Sequence, residues 1–196
     1  MDADQNPSVL TRCPELPRHL WTADDYHRMA EVGLLDPDSR VELIEGEIVE
    51  MAPIGDGHAD ASNRLNRLLV MAIGERGIVA VGNPVRLNPH NEPQPDFTVL
   101  RLRDGYNTKG PRPEDVLLCI EVSDTTLRRD REVKRALYAR AGIPEFWIVN
   151  VGAREIEIHR SPVDGTYQST ECHGLGGTVT IQALPDISIQ VSHIFG

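Results

Sequence analysis

The chain has 196 residues, 40% of them hydrophobic and 26% charged, with a formal net charge of -10 at pH 7. That length suits a single domain with its own core, and no apolar run approaches the roughly 20 residues that cross a bilayer. The negative charge excludes attraction of a polyanion over the whole surface, because affinity for nucleic acid rests largely on phosphate neutralisation, so any such contact must be local.

Met1 to Leu20 is polar, carries Pro7, Pro14 and Pro17, and lacks the basic and apolar blocks of a signal peptide. It reads as a flexible N-terminal arm on a cytoplasmic protein, with residues 21–196 as the domain. Cys13, Cys119 and Cys172 are scattered and odd in number, which makes neither a disulfide framework nor a CxxC metal clip.

Trp21 to Val32 is predicted helical, opened by Thr22 with Asp25 three places on as in a capping box and closed at Gly33. Arg40 to Glu45 and Glu47 to Met51 alternate polar with apolar around Gly46, the pattern of a half-buried hairpin, with Glu42 expected on its polar side. From His58 to Arg76, Leu65, Leu68, Leu69, Ala72 and Ile73 form one stripe of an amphipathic helix that stops near Gly74 and Gly77. Ile78 to Leu87 is a predicted strand broken near Pro84, and a proline-rich loop from Pro89 to Pro95 delivers Asp96 to the head of the strand Phe97 to Leu100. Asp104 to Asp115 reads as a surface loop, and Val116 to Val122 as a buried strand.

That strand holds Glu121. Burying an ionised carboxylate is costly unless it is paired or binds a metal, so Glu121 is expected to face a cation or an edge of the sheet. Next comes a helix from about Leu127 to Ala141, with cap candidates in Ser123-Asp124-Thr125-Thr126. Val133, Leu137 and Ala141 line one of its sides, while Asp130, Lys134 and Tyr138 share another that can point back at the sheet. Glu145 to Asn150 and Arg154 to His159 form a predicted hairpin, with weaker strands at Tyr167 to Thr170, Thr178 to Ile181 and Ile187 to Val191. Helices interleaved with strands give an α/β or α+β class with a mixed β-sheet.

Asp96 and Glu121 at strand ends, followed by a lysine on the next helix, suit metal-assisted phosphodiester hydrolysis: hard oxygens hold Mg²⁺ or Mn²⁺, and a cation steadies the phosphate or the water. Glu42 could reach the same place as a third acid. Lys134 is one of two lysines, with Lys109, against eighteen arginines, and a compact ammonium is more readily tuned than a guanidinium. The bland alternative for it is an exposed i,i+4 pair with Asp130. Between Arg128 and Arg140 six basic residues meet two acidic ones. Arg128, Arg129, Arg131 and Arg135 are therefore the candidate phosphate-backbone contacts, against the alternative of a solvated, internally paired face. His58 is more often a cap or surface residue than a ligand, but its imidazole could carry a proton. His159, His173 and His193 lack the spacing of a transition-metal site, and Cys119 reads as a buried small hydrophobe.

The succession Val41-Glu42-Leu43-Ile44-Glu45-Gly46-Glu47, His58 at a helix start, Pro95-Asp96, Ile120-Glu121-Val122-Ser123, then Asp130, Lys134, Tyr138 and Gly142-Ile143-Pro144-Glu145-Phe146-Trp147 resembles the Uma-two family. These are restriction-endonuclease-like proteins of the PD-(D/E)XK nuclease superfamily, and the likeness runs from about Trp21 to the C-terminus. It implies a restriction-endonuclease-like core, a magnesium-type site from Asp96 and Glu121, contributions from Glu42, His58 and Lys134, and a DNA substrate. One departure accompanies it. The superfamily places Lys two residues after the second acid, where this chain has Ser123, and Lys134 on the following helix is the matching base. A symmetric homodimer would suit the cutting of two strands. Two other functions fit the same residues: a catalytically silent binding or interaction module, and a metal-dependent hydrolase of a small phosphorylated substrate.

Overall fold

The capping box forms as expected: Thr22 Oγ1 accepts the Asp25 N–H at 3.1 Å, the Asp25 carboxylate accepts the Thr22 N–H at 3.0 Å, and α1 (Ala23–Glu31) follows. The structure, a computed structural model, describes residues 17–36, 38–103, 106 and 110–196. Cys13, Lys109, nearly all of the expected arm and part of the Asp104 to Asp115 loop lie outside them. No helix among the described residues is long and apolar enough to cross a membrane.

β1 (Val41–Ile44) and β2 (Glu47–Glu50) pair antiparallel through a turn in which Glu45 and Gly46 both take positive φ. α2 (Asp56–Ile73) buries Ala61, Leu65, Leu69 and Ile73 and stops where Gly74 turns left-handed at φ 53°, ahead of a 3-10 turn at Gly74–Arg76. It therefore ends at Ile73, the last residue of the apolar stripe, with Gly74 as the expected stop. β3 (Gly77–Val81) is shorter than its apolar run, because Gly82 at φ 59° turns the chain away. Val85 and Leu87 are buried all the same, and their N–H groups go to Pro93 and Asn91 carbonyls instead of a strand ladder.

β4 (Phe97–Arg101) and β5 (Val116–Ser123) pair antiparallel. The crossover that follows is α3 (Leu127–Arg129), a π-helical turn (Asp130–Lys134) and α4 (Arg135–Arg140). It returns the chain to β6 (Glu145–Asn150), which lies parallel to β5 as a helical crossover permits. β7 (Glu155–Val163) and β8 (Thr166–His173) extend the sheet antiparallel, giving the order β3-β4-β5-β6-β7-β8. A second hairpin of β9 (Thr178–Ile181) and β10 (Leu184–Gln190) and the short α5 (Ser192–Phe195) finish the chain.

The architecture is a mixed α+β one, a central mixed sheet with helices on both faces. β5 and β6 are buried along their whole length, as central strands covered on both sides must be. Leu118, Ile120 and Val122 pack with Trp147 and Val149 against α2 and the β9-β10 hairpin, while Cys119, Phe146 and Ile148 pack against Leu137 and Tyr138 of the crossover. Glu121 alternates with the first set and so emerges on the crossover side.

Three expectations change here. Glu42 was expected on the polar side of its hairpin, but it is 1% exposed. Val133 was expected to line the apolar side of its helix, but it is exposed. The hydroxyls of Ser123 and Thr126 do not cap the crossover helix; both donate to Asp130 Oδ2, at 2.7 and 2.6 Å. The π turn accounts for the second change. In a regular α-helix each step of four residues overshoots a full turn by about 40°, while a π turn, being wider, falls short. The two errors offset, so Asp130, Lys134 and Tyr138 all enter the interior and Val133 is carried outward.

Candidate active site

Phe97 pairs with Ile120 and Thr98 with Cys119, and one further step along that ladder sets Asp96 opposite Glu121. Residues directly opposite in an antiparallel pair project from the same face. Asp96 is fixed there by two contacts: its Oδ2 accepts the Val122 N–H at 2.7 Å, and its Oδ1 lies 3.1 Å from His58 Nε2 on the first turn of α2. The Asp96 side chain keeps 25% of its surface open, at a cavity of about 90 Å³ that Glu121, His58, Arg129 and Lys134 also line.

Glu121 is held from the crossover. Tyr138 donates its O–H to Glu121 Oε1 at 2.7 Å, and Lys134 Nζ donates to the same oxygen at 3.2 Å. Both donors converge on Oε1, which leaves Oε2 as the oxygen available to the cavity. Lys134 also donates to Glu42 Oε2 at 2.6 Å, an oxygen that accepts the Gln94 N–H as well, at 3.1 Å. Glu42 Oε1 is buried without a hydrogen bond, with the Arg129 guanidinium 3.5 Å away. The exposed Asp130–Lys134 pair is thus ruled out: Asp130 bonds Ser123 and Thr126, and Lys134 is 1% exposed between two glutamates.

Burial pushes the Glu121 carboxyl up to about 8, against the pull of Lys134 and with help from Asp130, Asp96 and Glu42. Burial acts to lower the Lys134 pKa, but the charges of Glu121 and Glu42 overcome this and hold it above the ordinary value. Geometry apportions the charge: the shorter contact makes Lys134 and Glu42 the ion pair, and Glu121 keeps a proton near neutrality. The hydrogen bond to Asp96 raises His58, against the opposing effect of burial. Burial raises Asp130, and its two hydroxyl donors offset part of the rise.

The family model for the group described as "Putative restriction endonuclease" matches residues 23–192. The chain belongs to the Uma2 family. Among curated proteins no significant sequence relative is found. Among solved structures, a "putative nuclease belonging to DUF820" from Anabaena variabilis superposes with a TM-score of 0.67 at 14% identity, covering 89% of this chain and 97% of that one. At that identity the likeness establishes the shared fold.

Within this Uma2 chain, Asp96, Glu121, Lys134 and His58 line one cavity, and Glu42 lies buried behind it against Lys134. The four arginines divide. Arg129 lines the cavity and donates to the Glu50 carbonyl at 3.2 Å. Arg128 pairs with Glu132 and Arg131 pairs bidentately with Glu157, both away from the cavity, and Arg135 is exposed without lining it. Tyr138 and Gln94 were given no role from sequence. The signal for Tyr138 was its place two steps of four beyond Asp130; Gln94 acts through its backbone N–H, for which no side-chain pattern exists.

The donor set suits a hard divalent cation. No group of three or more His, Cys, Asp or Glu side chains with metal-binding geometry occurs among the described residues, which argues against a zinc-type cage. Magnesium needs less, taking one or two protein carboxylates and completing its shell with water and substrate oxygens. Glu121 Oε2 and the open edge of Asp96 are the carboxylate oxygens that face the cavity.

Proposed function

We propose that this chain is a divalent-metal-dependent endonuclease that hydrolyses DNA phosphodiester bonds, with Asp96 and Glu121 as the ligands of Mg²⁺ or Mn²⁺. The observation that carries the reading is the strand register: Asp96 and Glu121 lie opposite each other at the mouth of a polar cavity, with a buried lysine behind them. A bound ion supplies Lewis acidity toward a phosphate oxygen and lowers the pKa of water. The chain's own residues do the rest. Val122 N–H and His58 orient Asp96, Tyr138 and Lys134 orient Glu121, and Glu42 holds the ammonium in place. His58, its pKa raised, keeps its Nε2–H on Asp96 and takes up or releases a proton at Nδ1. Arg129, at the cavity wall, is the arginine of the four best placed to meet a phosphate.

Asp96→Asn keeps the shape and removes the charge. It is expected to abolish divalent-dependent cleavage while leaving thermal stability nearly unchanged, and cleavage at the original rate would exclude Asp96 as a ligand. One observation favours a second reading, a catalytically silent module: both glutamates draw on the ammonium, so it is not free to meet a substrate. Calorimetry with Mn²⁺ separates the two, because a silent module shows no binding that depends on Asp96 and Glu121. Competition by duplex and single-stranded DNA separates either from a hydrolase of small phosphorylated compounds.

A further inference from the structure

Beside the carboxylate cavity lies a second hollow of about 390 Å³, larger than the first and within the range of small-molecule sites. The two adjoin, sharing Arg40, Met51, Ile54, His58, Gln94 and Asp96 in their walls. Beyond the shared wall the second hollow is floored by Phe97, flanked by Ala59 and Ser62 of α2 and by Val81 of the edge strand β3, and edged by the exposed amide of Asn63. One compartment is charged and suits a phosphate with its metal; the other is largely apolar with polar groups at its rim. The His58–Asp96 contact stands at their junction.

A nucleotide has this same division, an anionic phosphate joined to a flat base with apolar faces and a hydrogen-bonding edge. Resting on the nuclease reading above, we infer that the second hollow receives the base next to the scissile phosphate, and that the substrate is nucleic acid unpaired at that position. A base stacked and paired in a duplex cannot enter a side pocket without leaving the stack, at an unstacking cost that is least for a base already single-stranded. Charge agrees. With a formal net charge of -10, and with Arg40 and Arg129 as the arginines that line the two compartments among the described residues, little cationic surface beside the cleft serves to track both backbones of a duplex. A base contact then supplies affinity that phosphate contacts do not.

The test uses the full chain with Mn²⁺ and three oligonucleotides of one sequence: single-stranded, duplex with an unpaired flap, and fully paired. Cleavage of the two unpaired substrates is expected to exceed that of the duplex by about tenfold or more, the scale of one lost base contact. Ala59→Phe, which fills the hollow from α2, should cut the single-strand rate about tenfold and leave Mn²⁺ affinity unchanged. Val81→Trp fills it from the exposed edge strand and serves if the helix variant misfolds. Equal cleavage of paired and unpaired substrates, or filled variants that cut single strands at the original rate, would overturn the base pocket and leave the nuclease reading standing. Failure to cut any of the three, with no Mn²⁺ binding, would overturn both.

Discussion

Lys134 Nζ lies 2.6 Å from Glu42 Oε2 although 92 positions separate them in sequence, and both side chains are closed to solvent. The contact joins the crossover helix to the first hairpin, and the same ammonium reaches Glu121 on the central strand. Removing one partner of a buried ion pair leaves an uncompensated charge, a larger penalty than losing the pair itself.

Lys134→Met is therefore expected to destabilise the protein by about 3–5 kcal/mol, read by denaturant unfolding. Adding Glu42→Gln should restore part of the loss, because the stranded charge is then gone. A double variant no more stable than the single one would show that Lys134 holds the fold through something other than these glutamates.

Tyr138→Phe removes one O–H and almost no volume. Glu121 then loses the donor that fixes its orientation, and loss of such a partner behind a ligand is expected to weaken Mn²⁺ binding about 10- to 100-fold. Calorimetry measures this directly. Thermal unfolding should show a further loss of about 1–3 kcal/mol for the buried carboxyl left with one donor fewer. Unchanged metal affinity would remove Tyr138 from the site.

Glu121 predicts a pH dependence with a definite sign. Its folded pKa of about 8 lies above the ordinary 4.5, so the folded state binds the proton more tightly. The resulting stabilisation is complete below about 4.5 and is lost as pH rises through about 8, at no more than about 1.4 kcal/mol per pH unit. Glu121→Gln should flatten that part of the stability profile. Metal binding below pH 8 should also release protons, visible as a dependence of calorimetric heat on buffer ionisation.

His159 gives the opposite slope. It is fully buried, stacks on Phe146, and has an Nε2 without a hydrogen bond. Burial lowers it from 6.5 to about 4. The unfolded chain takes up the proton first, so the contribution is whole above about 6.5 and disappears as pH falls through about 4, on the order of 3 kcal/mol in all. Comparing denaturant midpoints of the wild type and His159→Phe at pH 7 and 4.5 isolates it. Parallel losses in the two proteins would rule out His159 as their source.

Local chemistry determined the elements. The Thr22–Asp25 box, the stripe on α2 and the turn at Gly46 depend on neighbours within a few residues, so spacing alone exposes them, and the buried run around Glu121 announced a carboxylate in need of a partner. What the sequence could not carry was which partner. Glu42 sits in a strand whose alternation looks half-exposed, yet it is buried because the crossover helix brings Lys134 over it. The face of Lys134 is in turn set by a π turn that the regular α-helical period conceals. Hydrogen bonds such as Gln94 N–H to Glu42, and the placement of Arg129 but not Arg131 at the cavity, arise from where separate elements meet. Short-range periodicity determined the helices, the strands and the candidate residues, and tertiary packing decided which charges are buried together, because desolvation and ion pairing depend on distances that the chain closes only on folding.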